Sequence, residues 1–195
     1  MSQKSLLFVV VLTAVVAITA CESEPDVDQN IIHTSFDLTC NNIGLTKAQS
    51  YQPNDGSINR IIIMSDSTIG EQYDEYFQQH PSNMPEAWFP QIVDGTFVYT
   101  DVELALCIHR TATEPVDIPC DFEDGYTIKV HNATYEMTLR DPNTAEIIAQ
   151  QTVTNEGNCP TMFSIFTEGQ KEQDQFAAVG DAQIQAFIEP YVVTH

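Results

Sequence analysis

Cations are scarce in this chain: seven lysines and arginines stand against 28 aspartates and glutamates in 195 residues, a formal charge of −21. Such a surface repels phosphate backbones, which argues against nucleic acid as a partner. Local catalytic motifs are missing too. There is no G-x-S-x-G elbow, H-E-x-x-H helix, Walker loop or glycine-rich dinucleotide fingerprint, so an enzyme would have to assemble its site from residues scattered along the sequence. No two cysteines have the C-x₂₋₄-C spacing of a zinc site or the C-x-x-C of a redox site. No cofactor is therefore expected. Nor does any apolar run reach the roughly 20 residues that a membrane-spanning helix needs.

What is present begins with a sorting signal. Met1–Lys4 is a short basic start, Ser5–Ile18 is an almost wholly apolar run, and Ile18-Thr19-Ala20-Cys21 is a small-residue cleavage site ending in cysteine. This is the form of a bacterial lipoprotein signal peptide. It predicts that residues 1–20 are removed and that Cys21 carries diacylglycerol and an amide-linked acyl chain, enough for stable anchoring. Residues 21–35 carry acidic residues and a proline with little to bury, and read as a disordered tether. Residues 36–195 have the length of a single domain. The expected location is the bacterial cell membrane, lipid-anchored and facing the periplasm or the exterior.

The strongest strand signal lies after Asp101. Val102, Leu104, Leu106 and Ile108 alternate with Glu103, Ala105, Cys107 and His109, the period of a strand, and the small apolar residues of the second face place it centrally. Arg60–Met64 is a β-branched run that reads as a buried strand. Tyr126, Ile128 and Val130 are apolar at even positions, whereas Ala133, Tyr135, Met137 and Leu139 are apolar at odd ones. That change of phase predicts a β-bulge near His131. Asp141-Pro142-Asn143-Thr144 is turn-forming, and alternation resumes at Ile147, giving a hairpin over 133–154. Near-helical spacing at Asn42–Tyr51 suggests a helix interrupted by Gly44. At the other end Gly180-Asp181 precedes an Ile184, Phe187, Ile188 stripe, predicting a terminal helix that Pro190 ends or kinks. The expected class is α+β: an antiparallel sheet with one hairpin, one C-terminal helix and one long excursion, stapled by two disulfides.

Several of these segments together resemble a known family. Val102-Glu103-Leu104-Ala105-Leu106-Cys107-Ile108, then Cys120, then Asp141-Pro142-Asn143-Thr144-Ala145-Glu146-Ile147-Ile148-Ala149, then Cys159-Pro160 are similar to a bacterial exported domain of unknown function. Cys40, Ala48, Tyr51 and Trp88 fit its earlier positions. The resemblance spans roughly residues 36–193 and implies fold and disulfides, with no catalytic residue. It departs at Ala145, where the pattern has glycine, and after Cys120, where it has an aromatic.

With Cys21 lipidated, Cys40, Cys107, Cys120 and Cys159 remain, an even number that in an exported chain predicts two disulfides with three possible connectivities. Cys107–Cys120, which flank one loop and would close it cheaply, are the preferred pair, and Cys40–Cys159 would then tie the first segment to the end of the hairpin. Ser67–Trp88 reads as a surface excursion. Its aromatics Tyr73, Tyr76, Phe77, Trp88 and Phe89 form either a binding patch or, as large aromatics more often do, a lid folded back on the sheet. His109 and His131, both on strands, are the weak candidates for a metal or acid–base pair. These readings point to a lipid-anchored, extracytoplasmic binding or envelope-accessory lipoprotein without catalytic activity. Its expected partners are the membrane, through the anchor, and another envelope protein or a small ligand. The competing reading is a hydrolase or metal-dependent enzyme with a dispersed site.

Overall fold

The structure, a computed structural model, describes residues 31–53, 56–66, 77–80, 82–117, 120–161 and 169–193. Strand β1 (Arg60–Asp66) carries Ile61-Ile62-Ile63-Met64, buried on both faces, as a continuous branched run requires. It lies parallel to β5 (Val102–Pro115), with Ile61 opposite Leu104 and Ser65 opposite Ile108. Strand β5 pairs antiparallel with β7 (Tyr126–Arg140), which forms the expected hairpin with β8 (Ile147–Asn155). Short strands complete the sheet. β2 (Phe77–Gln79) edges β1, β6 (Cys120–Phe122) pairs with the start of β7, and β9 (Glu172–Phe176) runs parallel to β7. The sheet is thus mixed rather than wholly antiparallel. The excursion between β1 and β5 returns the chain to the same end of the sheet, as a parallel neighbour requires.

Alternation sorts the sheet into two covered faces. On one, Ile61, Ile63, Leu104, Leu106, Ile108, Met137 and Leu139 pack against Ile184, Ile188 and Val192 of helix α2 (Asp181–Val192), with Met84 and Trp88 in the same cluster. On the other, Ile62, Met64, Ala105 and Cys107 meet Phe36 and Cys40 of helix α1 (Phe36–Cys40), followed by Leu45 and Ala48. Each fully buried Leu or Ile contributes on the order of 1.5–3 kcal/mol, so both faces matter to stability. The chain is ordered before residue 36: His33–Ser35 form a 3₁₀ turn leading into α1.

Helix α2 runs through Pro190 to Val192, so the proline does not end it. Buried Asn59 caps the last turn instead, its backbone N–H donating to the Val192 carbonyl at 3.0 Å and its Nδ2 to the Tyr191 carbonyl at 2.8 Å. These bonds satisfy acceptors that a helix end leaves open. No helix forms over Asn42–Tyr51. The segment is held as a loop by the β7–β8 turn, where Leu45 N–H donates to the Pro142 carbonyl at 2.8 Å and Asn143 Nδ2 donates to the carbonyls of Thr46 and Ala48. Gly44 sits so close to the Asn143 carbonyl that a Cβ would collide with it.

The bulge lies elsewhere than expected. Register with β7 slips at Thr111, between Arg110 and Ala112 of β5. The phase change within β7 has a different cause. Ile128 and Val130 are buried with Cys120 in a small cluster of their own, whereas Met137 and Leu139 point into the main core. The covered face changes along the strand without an inserted residue.

The disulfides also correct the expectation: they join Cys40 to Cys107 and Cys120 to Cys159, with Cα separations of 5.5 and 5.6 Å. The register shows why Cys107 cannot reach Cys120. Cys107 lies opposite Thr138 and Cys120 opposite Ile128, ten residues apart on β7, or roughly 33 Å at about 3.3 Å per residue. A disulfide bridges Cα atoms no more than about 7 Å apart.

Ala145, the departure from the glycine pattern, has φ of 62°. It closes the Asp141 turn through its N–H to the Asp141 carbonyl at 2.8 Å, and its own carbonyl accepts from Arg140 Nη1 at 2.8 Å. A left-handed alanine costs about 1–2 kcal/mol, and glycine removes that strain at some cost in unfolded-chain entropy. Ala145→Gly is therefore expected to raise stability by about 0.5–1 kcal/mol in urea unfolding. A loss of stability would show that the buried Cβ outweighs the strain.

Candidate functional site

Two surfaces concentrate polar or exposed apolar chemistry. The first is the open part of the sheet face beside α1. Asp66, at the end of β1, is buried to 2 % side-chain exposure and holds His109 Nδ1 at 2.6 Å. The same carboxylate accepts the Arg110 backbone N–H, with distances of 3.0 and 3.3 Å to its two oxygens. The histidine ring is half exposed, and its cross-strand neighbour on β7 is Glu136. Cys40, Cys107, Thr138 and Arg140 complete a shallow depression of about 220 Å³.

His131 is not part of it. Its cross-strand neighbour on β5 is Pro115, and it lies five residues from Glu136, on the opposite face by strand alternation. The two candidate histidines therefore do not form a pair. His131 Nε2 meets Asp174 at 2.6 Å, and the ring lies 4.8 Å from that of Phe176. The Arg110 guanidinium stands 3.6 Å from the centroid of the same Phe176 ring. This stacked cluster is a packing feature of the face that carries the main core. Among the described residues no group of three or more His, Cys, Asp or Glu is placed to hold a metal ion.

The second surface is a groove of about 720 Å³, walled by the Glu86–Trp88 3₁₀ turn and Phe89 on one side and by an isolated hairpin on the other. The hairpin joins β3 (Gln91–Val93) to β4 (Thr96–Val98) through Asp94 and Gly95, with φ of 51° and 77°, the two left-handed positions of a type I′ turn. Ile92 lies opposite Phe97. Exposure of Ile92, Val93 and Phe97 is 57, 50 and 50 %. Arg60, tied to Asp101 at 3.4 Å, and His80, whose Nδ1 lies 3.2 Å from Ser65 Oγ, line the groove or border it. Burial raises the pKa of the Asp101 carboxyl, opposed by Arg60 and by backbone N–H donors.

The excursion's aromatics separate. Trp88 is 5 % exposed and belongs to the core, so its ring is not offered to a partner; Phe89 is half-buried in the groove wall. Phe77 opens the edge strand β2. Tyr73, Tyr76 and Cys21, the expected lipidation site, lie outside the described residues. The exposed apolar residues of the hairpin were not among the sequence candidates, although Asp94-Gly95 between short apolar runs is the signal that finds such a turn. Asp66 carries no signal, because its role arises only from the pairing of β1 with β5.

Burial also pulls His80 below its ordinary pKa of 6.5, with the Asp181 carboxylate acting the other way. As pH falls the unfolded chain binds this proton first, so the contribution of neutral His80 is complete above about 6.5 and fades toward the lower folded value. The stability advantage of wild type over His80→Gln should therefore shrink between about pH 7 and pH 5. A constant or growing advantage in parallel unfolding titrations would contradict this assignment.

No protein-family model, no characterised protein and no solved structure matches this chain.

Proposed function

We propose that the protein is a lipid-anchored, extracytoplasmic binding or envelope-accessory module without catalytic activity, and that its binding face is the groove beside the β3–β4 hairpin. The observation that carries this reading is the pair Ile92 and Phe97, opposite each other on a projecting hairpin and each half exposed or more. Apolar side chains held clear of the core at the mouth of a groove are the anchors that binding surfaces use. Arg60, His80 and Gln79 add a few polar groups that orient a ligand without dominating the surface. Two disulfides fit an oxidising compartment outside the cytoplasm, and the Cys21 signal supplies the anchor.

The hydrolase alternative has one observation in its favour. Asp66 orients His109 much as a carboxylate orients a catalytic base. Base and orienting group need a nucleophile within hydrogen-bond reach, and the hydroxyl on this shelf, Thr138, stands opposite Cys107 rather than His109. The depression is shallow and open to water, which weakens every electrostatic contribution made there.

Affinity capture from envelope extract distinguishes the two faces. Ile92→Ser and Phe97→Ser are each expected to reduce recovery of bound envelope material, lipid or protein, by about 30-fold, the effect of losing a central anchor of about 2 kcal/mol. His109→Ala should leave recovery unchanged. Loss with His109→Ala and full retention with both hairpin variants would move the binding face to the shelf and overturn the proposal.

A further inference from the structure

We infer that the β3–β4 hairpin rests on a bilayer surface, with Ile92, Val93 and Phe97 at the boundary between headgroups and acyl chains. This names the partner of the hairpin wall, and it rests on the anchored reading above.

The arrangement of the three side chains selects lipid over a protein patch. Ile92 and Phe97 are directly opposite and share one face of the hairpin, while Val93, opposite Thr96, lies on the other. A flat partner covering one face would leave the second exposed. A fluid apolar layer surrounds both. The hairpin forms a two-stranded sheet of its own, separate from the main sheet, and such a ribbon is marginal in water unless its side chains are covered.

The route of the chain allows lipid at this end. The Phe97 ring lies 5.8 Å from that of Tyr99, and Tyr99 lies 6.3 Å from His33. Ile32, the residue before it, is 49 % exposed. Cys21 precedes Ile31 by ten residues, a distance of at most about 36 Å when fully extended. A lipidated Cys21 therefore keeps this end of the domain within reach of the membrane.

Charge fixes the kind of surface. Gln91–Val98 contains Asp94 and no lysine or arginine, in a chain of net charge −21. Attraction to anionic headgroups is absent from the hairpin, so the contact is apolar and favours neutral lipid.

Trp88 makes the test internal. It is the chain's single tryptophan and is buried in the core, so it reports on folding and not on depth. Phe97→Trp adds a second indole at the hairpin. The full lipidated protein, reconstituted in phosphatidylcholine vesicles with brominated acyl chains, should show emission from the added indole reduced about two-fold relative to unbrominated vesicles, as expected for a side chain at the acyl boundary. Wild-type Trp88 emission should be unchanged. Ile92→Trp should repeat the result, which guards against misfolding of one variant. Replacing half the phosphatidylcholine by phosphatidylglycerol should weaken the quenching. Quenching of neither added indole overturns the inference, as does quenching that strengthens with anionic lipid, or protection of the hairpin that comes only with an added envelope protein. Intact mass of the same sample reports acylation of Cys21 separately. An unacylated chain sinks the anchored reading, while quenching alone decides the hairpin.

Discussion

The disulfide between Cys40 and Cys107 is the constraint on which the architecture turns. Helix α1 has five residues, far fewer than an isolated helix needs to persist, yet it covers Ile62, Met64, Ala105 and Cys107 on the outer face of the central strands. The bond ties residues 67 apart in sequence. In the chain-entropy account, closing such a loop stabilises by about 4 kcal/mol, a large part of the roughly 5–15 kcal/mol of a typical domain. The Asp141 turn assists from the far side, since Asp141 Oδ2 accepts the Tyr51 N–H at 3.2 Å and Asn143 holds the loop carbonyls. Where this clamped layer stops, the face opens, and His109, Glu136 and Thr138 become a shelf instead of a core.

Scarce cations are used in contacts within the chain. Arg110 lies over Phe176, Lys171 over Tyr126 at 3.8 Å, Arg60 beside Asp101, and Arg140 donates to the Ala145 carbonyl. Lys129 meets Glu172 at 2.6 Å, but both side chains are more than half exposed, and such a pair contributes little. The acidic surface is consequently left largely uncompensated, and the β3–β4 hairpin stands out as a place where the molecule offers apolar area rather than negative charge. That contrast links the composition to the proposed binding face.

Much of the fold was legible because its long elements obey a single period. β1, β5, the second half of β7 and α2 bury most of the residues that their spacing marks, whereas Ile147 at the start of β8 is 53 % exposed. Pairing between elements was not legible in the same way. The Cys107–Cys120 expectation measured distance along the chain, whereas the sheet register separates those residues by ten positions of β7. The His109–His131 neighbourhood failed for the same reason, since a strand position says nothing about which partner residue stands opposite. Of the apolar residues spaced along Asn42–Tyr51, Leu45 and Ala48 are buried and Ile43 is 42 % exposed, and Gly44 and the contacts of Asn143 hold the segment as a loop. Trp88 followed the usual preference of a large aromatic for the core, and the exposed apolar area passed to the Asp94-Gly95 hairpin.

Peptide mapping of the native, unreduced protein tests most directly whether the outer layer is clamped as described. The predicted result is two linked pairs, Cys40 with Cys107 and Cys120 with Cys159, and no alkylatable thiol among the four. A linked Cys107–Cys120 peptide, or four free thiols in the native protein, would contradict the account.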